Sequence, residues 1–185
     1  MPFDFTKTPL KGLLLIQPHV FVDERGFFME SYKKSDFVKA GITEDFTQDN
    51  HSYSSKGVLR GIHFQKDPYA QGKLVRCVKG SVWDVAVDLR PESKTFGQWY
   101  GIEITEDNKT MFYIPPGFGH GFVTLKENTH FQYKCTKEYN PDADSGIIWN
   151  DSELNIDWPL KEGFSLSDKD LELHSFEESK KRIRK

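Results

Sequence analysis

The sequence predicts an all-β fold, an antiparallel β-barrel or jelly roll with a few short helices. Three observations predict it. Strand-like runs recur from Gln48 onward with turn residues between them. The nine Pro and fourteen Gly are scattered through the 185 residues instead of gathering in a linker. Phe outnumbers every other aromatic. Together these give the texture of many short strands joined by tight turns.

The first element runs from residue 12 to about 22. The turn Asp23-Glu24-Arg25-Gly26 and an apolar stretch over 27–32 follow it, and the whole reads as a β-hairpin. Ser35 or Asp36 caps a short helix through Phe37, Val38 and Ala40, which Gly41 stops. This is expected to be the longest helix before the carboxyl terminus. Strands are then expected over 48–54, 58–64, 73–79, 81–88, 98–104, 111–114, 121–124 and 129–136. In the fourth of these, Trp83, Val85, Val87 and Leu89 share one face and Val82, Asp84, Ala86 and Asp88 the other. The first face reads as core and the second as the lining of a polar cavity. Beyond Pro141 the chain is irregular, with a helical turn around 168–173.

Length points to one domain spanning 1–185, burying about two-thirds of its unfolded surface, with 176–185 as a flexible basic tail. A net charge of −3 leaves no basic field to hold nucleic acid or anionic lipid, although local arginines can still hold a small anion. Cys77 and Cys135 are too far apart in sequence for a metal knuckle or redox pair, and too few to staple the fold, so a reducing cytoplasm is expected. The apolar run at 13–16 is only strand length and Pro18 closes it, so neither secretion nor membrane spanning is expected.

Gly57, five residues, His63, one residue and Gln65, then Lys73, six residues and Gly80, resemble the first motif of the cupin family; Pro115-Pro116-Gly117-Phe118-Gly119-His120 resembles the second. Metal-binding cupins hold two histidines, a glutamate and a further histidine at the positions that here read His63, Gln65, Lys73 and His120. An ammonium repels a cation and a glutamine replaces imidazole poorly, so no metal is expected. A titratable histidine and a lysine facing one cavity are instead parts for proton abstraction beside a carbonyl. Inverting a carbon further needs an acid on the opposite face, for which a tyrosine is suited.

Asp23-Glu24-Arg25-Gly26-Phe27-Phe28-Met29-Glu30, Gln48-Asp49-Asn50, Gly57-Val58-Leu59-Arg60-Gly61-Ile62-His63-Phe64-Gln65 and Tyr133-Lys134-Cys135-Thr136 resemble the dTDP-4-dehydrorhamnose 3,5-epimerase family over nearly the whole chain. The resemblance implies that His63 is the base, oriented by Asp170, that Tyr133 is the acid on the other face, and that Lys73 steadies the C4 enolate oxygen. It implies that Arg25, Arg60 and Lys169 face the nucleotide sugar, with Glu30, Gln48, Asp49, Asn50 and His120 as further binding positions. Asp144 stands where family members commonly carry a glutamate. Tyr139 and Phe28 are equally well read as stacking groups or wall aromatics. The resemblance also implies a homodimer in which the segment 12–30 pairs with the neighbouring subunit and helps complete its site.

Read singly, His63 is more often a packed or surface histidine, Tyr133 a core aromatic, and Arg25 and Arg60 solvated charges, while Asp170 is evenly balanced between a helix-terminal carboxylate and the histidine's partner. Their joint occurrence in ordered motifs favours the functional reading. Strict alternation over 58–65 puts Arg60 and His63 on opposite faces, which a bulge at Gly61 would reconcile. The expected activity is inversion of C3 and C5 of dTDP-4-dehydro-6-deoxy-D-glucose to dTDP-4-dehydro-beta-L-rhamnose, with no cofactor. The rivals are an epimerase acting at C3 or C5 alone, a sugar ketoisomerase, a metal-dependent cupin oxygenase and a non-catalytic sugar-binding cupin.

Overall fold

A computed structural model describes residues 2–183. In chain order its elements are β1 (Phe3–Lys7), β2 (Leu14–Pro18), β3 (Phe21–Asp23), β4 (Gly26–Phe28), α1 (Lys34–Lys39), β5 (Gln48–Ser54), β6 (Leu59–Gln65), β7 (Lys73–Lys79), β8 (Ser81–Asp88), β9 (Trp99–Thr105), β10 (Met111–Ile114), β11 (Phe118–Thr124), β12 (Thr129–Cys135), β13 (Asp144–Gly146), α2 (Asp168–Leu171) and α3 (Phe176–Ile183). They build a six-stranded sheet in the order β1-β2-β10-β7-β12-β5, a five-stranded sheet in the order β13-β6-β11-β8-β9, and a separate β3-β4 ribbon. Every paired strand runs antiparallel. Because spatial neighbours are mostly distant in sequence, this is the jelly-roll arrangement of two facing sheets expected from the strand spacing.

Apolar residues fall into three layers. Val75, Phe112 and Phe131 of the six-stranded sheet meet Val82, Ala86 and Phe122 of the five-stranded sheet between the two. Leu59, Ile62, Val85, Val87 and Val123 face outward from the smaller sheet, where Leu154, Trp158 and Phe176 cover them. Trp83, Trp99 and Trp149 pack against this outer layer, so it holds all four tryptophans. Trp83 stands edge-on to Trp158 and Trp99, with ring centroids 5.2 Å and 6.0 Å apart. The third layer lies outside the larger sheet, where Phe3, Ile16, Leu74 and Met111 are covered by Phe37 of α1 and by Ile42.

This layering corrects the reading of 81–88 as half polar. Both of its faces are buried; Val82 and Ala86 join the central core, and Asp84 alone of that face reaches the cavity wall through His120. The expected hairpin is also broken up. Pro18 lacks the N–H to continue a ladder; β2 pairs with β1 and β10, and only three residues on each side of the turn form the β3-β4 ribbon. β1, with Phe3 and Phe5 packed on Phe37, and the three-residue β13 escape the sequence reading. α1 begins after Lys33, which makes no side-chain cap, so neither Ser35 nor Asp36 starts it; Gly41 follows its end at φ +93°.

The stretch read as a flexible basic tail is helical as far as Ile183. Phe176 is buried against Phe96 and its N–H donates to Asp151 Oδ2 at 2.8 Å, which roots the helix in the outer layer. Arg184 and Lys185 lie outside the described residues. Among the described residues no helix is long and apolar enough to cross a membrane.

Candidate active site

A cavity of about 470 Å³ opens between the two sheets. Arg60 and His63 of β6 and His120 of β11 enter it from the smaller sheet; Gln48 and Asn50 of β5, Lys73 of β7 and Tyr133 of β12 enter it from the larger one; Asp144, Lys169 and Asp170 stand along its side. Ten of the thirteen residues expected at the site therefore line one cavity.

Arg60 and His63 share it because β6 slips against β11. His63 pairs with His120 and Arg60 with Phe122, so three steps along β6 face two along β11. The extra residue is a bulge, and it reverses the alternation beyond it. Leu59 and Ile62, also three apart, accordingly both join the outer apolar layer. Gly61 occupies the bulge at φ +112°, and a Cβ there would lie 2.6 Å from Gly121 Cα and from the His120 carbonyl oxygen. Only glycine fits this backbone.

Freed from pairing, the Gly61 N–H donates to Asp170 Oδ1 at 3.1 Å, and His63 Nε2 donates to the same oxygen at 2.7 Å. Ser167 Oγ donates to Asp170 Oδ2 at 2.6 Å, while its own oxygen accepts the Asp170 N–H at 3.2 Å and caps α2. Burial pushes the Asp170 carboxyl up, but the bonds from His63, Ser167 and Gly61 outweigh it and hold the pKa at about 2. An ionised carboxylate on Nε2 assigns the proton of neutral His63 to that nitrogen and leaves the lone pair on Nδ1.

His63 and His120 are direct cross-strand partners, and His120 has its own carboxylate: Nε2 donates to Asp84 Oδ2 at 2.8 Å. Burial raises the pKa of Asp84, opposed by His120 and Lys73; it lowers that of His120, with Asp84 opposing and Lys73 adding to the effect. Burial likewise lowers the pKa of Lys73, against the attraction of Cys135, Asp84 and Asp144. Tyr133 is pushed up by burial and by Cys135, with Arg60 opposing, so its phenol keeps its proton near neutrality. The cavity thus combines an oriented imidazole, a desolvated amine and a protonated phenol, parts suited to moving a proton next to a carbonyl.

At the rim Lys169 pairs with Asp144, which raises the lysine's pKa, and the Tyr139 hydroxyl donates to the same carboxylate at 3.0 Å. Of the four cupin ligand positions, Lys73 presents an amine and Gln65 directs its amide to the backbone of Tyr69, Glu138 and Asn140.

Three expected residues lie elsewhere. Arg25 is at the tip of the β3-β4 ribbon, exposed and paired with Asp23 at 2.5 Å. Glu30 follows the ribbon, 4.0 Å from Lys33. Asp49 alternates to the other face of β5, where it pairs with Lys134 at 2.9 Å. Conversely, Gln71 and Ser167 take part without having been expected in the site, Tyr139, left open between stacking group and wall aromatic, lines the cavity, and Asp84, expected only as part of a cavity-lining face, acts through His120. An aspartate in an otherwise apolar strand and the Ser-x-x-Asp capping pattern were legible signals for Asp84 and Ser167; Gln71 gave none.

Residues 7–178 match the family model described as dTDP-4-dehydrorhamnose 3,5-epimerase. The chain is 51% identical to the dTDP-4-dehydrorhamnose 3,5-epimerase of Escherichia coli K12, over 93% of this chain and 94% of that protein. It superposes on the crystal structure of dTDP-4-dehydrorhamnose 3,5-epimerase from Elizabethkingia anophelis with a TM-score of 0.93 at 48% identity, covering 97% of this chain and 100% of that one. It is also similar to dTDP-6-deoxy-D-glucose-3,5-epimerase from Legionella pneumophila in complex with dTDP-4-keto-L-rhamnose, with a TM-score of 0.91 and 46% identity over 94% of this chain and 92% of that one.

The bulge generates a sharp expectation. Gly61→Ala forces β6 away from β11, which should cost about 2 kcal/mol of stability; kcat/KM should fall at least about tenfold as His63 and Asp170 lose register. Urea unfolding and steady-state kinetics measure the two. Unchanged kinetics would show that the slip does not position His63.

Proposed function

This chain belongs to the dTDP-4-dehydrorhamnose 3,5-epimerase family and is an isomerase, and we propose that its cavity inverts C3 and C5 of dTDP-4-dehydro-6-deoxy-D-glucose to give dTDP-4-dehydro-beta-L-rhamnose. The observation that carries this reading is the 2.7 Å His63–Asp170 bond in a cavity that also holds Lys73 and Tyr133. His63 comes from one sheet and Tyr133 from the other, and facing sheets lie about 10 Å apart. A sugar ring held between them has the base on one side and the acid on the other.

The ketone at C4 acidifies the C–H bonds at C3 and C5. Nδ1 of His63 takes the proton, the electron pair passes into the enolate, and the Lys73 ammonium stabilises the C4 oxygen. The enolate carbon then takes a proton from the Tyr133 hydroxyl on the opposite face, and the configuration inverts. Solvent restores the phenol and accepts the proton from the imidazolium, whose charge the ionised Asp170 stabilises meanwhile. Repetition at the second carbon uses the same groups, because both carbons flank one oxygen. His120, held by Asp84, and Arg60 bind the sugar and diphosphate; Asn50 lines the path to them, and the rim group of Asp144 and Lys169 faces the nucleotide.

We further propose a homodimer. The ribbon exposes Phe21, Val22, Phe27 and Phe28, at 60%, 77%, 57% and 67% of their surface, a patch that a second copy would cover. Arg25 and Glu30, away from this chain's own cavity, are then supplied to the partner's. A nucleotide-linked substrate and two free, buried thiols fit a reducing cytoplasm.

In deuterium oxide, wild-type protein with dTDP-4-dehydro-6-deoxy-D-glucose should incorporate label and invert at both C3 and C5 by NMR. His63→Ala should slow both by about 10²- to 10⁴-fold, whereas Tyr133→Phe should retain exchange and lose inversion. Label at one carbon alone would establish a single-centre epimerase, and binding without label a sugar-binding protein.

Co-expressed Arg25→Glu and His63→Ala chains test the dimer. Each alone should be impaired, but random pairing should restore about a quarter of wild-type activity, because half the dimers are mixed and one of their two sites is intact. A mixture no more active than its parents would refute exchange of the ribbon.

A further inference from the structure

Residues 136–143 carry the chain from β12 in the larger sheet to β13 in the smaller one, along the rim of the cavity and without regular secondary structure. Such a strap must satisfy its backbone N–H and C=O groups without a ladder. Glutamine side chains do so at four consecutive residues. The Lys137 carbonyl accepts from Gln71 Nε2 at 2.8 Å and the Glu138 carbonyl from Gln65 Nε2 at 3.3 Å. The Tyr139 N–H donates to Gln48 Oε1 at 2.7 Å and the Asn140 N–H to Gln65 Oε1 at 2.8 Å. Gln65, 6% exposed, also donates to the Tyr69 carbonyl at 2.7 Å and so joins the strap to the loop before β7.

We propose that Gln48, Gln65 and Gln71 are positioning residues that hold this strap in its binding conformation, with Gln65 as the central brace. The proposal rests on the nucleotide-sugar reading above. A neutral amide is the only side-chain group that offers an acceptor to one N–H and donors to two carbonyls without burying a charge. Fixing Tyr139 also fixes the Asp144 carboxylate that its hydroxyl reaches, and through it Lys169. The rim is thereby set before ligand arrives, which removes an ordering cost from binding. Gln48, expected to touch substrate, has its amide engaged by Tyr139 and, through Nε2, by Asn50 Oδ1 at 3.0 Å.

Gln65→Glu tests the brace, because a carboxylate keeps the acceptor for Asn140 but turns an oxygen, where the donor stood, toward two carbonyls. Calorimetric titration with dTDP at about pH 8 should show affinity about tenfold weaker than wild type. The ratio should shrink toward about pH 5.5, since the buried acid regains its proton and its one O–H replaces one of the two lost N–H donors. His63, Lys73, His120, Asp144 and Lys169 line the same cavity as Gln65, and Gln65→Met, which adds no charge beside them, records their own contribution to the pH dependence. Gln65→Met, which can do neither, should bind weakly at both pH values. Equal affinities of wild type and Gln65→Glu at about pH 8 would overturn the proposal, as would a deficit independent of pH and shared by both variants. A wild-type protein that does not bind dTDP would remove the nucleotide reading and the brace's role with it.

Discussion

The carboxylate of Asp170 accepts hydrogen bonds from three directions: the His63 ring, the Gly61 backbone and the Ser167 hydroxyl. These belong to elements more than a hundred residues apart in sequence, a β-bulge and a short helix, and neither has an evident reason to lie where it does without the other. The bulge releases the N–H that the carboxylate accepts, and the carboxylate satisfies a donor that would otherwise be buried unpaired. Serine capping turns the carboxylate inward. The geometry of the imidazole is therefore a by-product of satisfying backbone groups, which explains how a four-residue helix can hold a functional group firmly.

The same arrangement sets what was legible in the sequence. Most strands of the two sheets could be read from period-two alternation and turn residues, because burial imposes that pattern locally. β13 could not, since three residues ending in glycine carry no period, and α3 was obscured by lysines and arginines on its solvent side although Phe176 roots it. The alternation rule failed at Arg60 and His63 for a physical reason visible only in pairing: a register slip depends on the facing strand. Asp170 was reached through resemblance, and Asp84 was read as part of a cavity-lining face but not as the partner of His120, because a carboxylate's partner is a tertiary fact. Arg25, Glu30 and Asp49 mark the opposite limit, where matched motifs name residues that the fold leaves outside this chain's own cavity.

Two histidine–carboxylate pairs side by side on neighbouring strands differ in environment. Asp170 gathers three donors and is stabilised as an anion, whereas Asp84 is fully buried, leaves Oδ1 without a hydrogen-bond partner, and is pushed toward its neutral form by burial. Similar chemistry in different surroundings divides labour between groups. The desolvated Lys73 between the sheets belongs to the same pattern, in which stability is given up locally for readiness and is offset by three apolar layers around the cavity.

Those layers are not equivalent to an observer. All four tryptophans lie outside the smaller sheet, under the chain's closing segment, and none lines the cavity. Their ultraviolet emission consequently reports whether the outer cover is docked and is a poor witness to ligand entering between the sheets, whereas the tyrosines at 133 and 139 stand where a bound base or sugar would alter their absorbance. The fold has, in effect, separated the optical record of its own integrity from that of its chemistry.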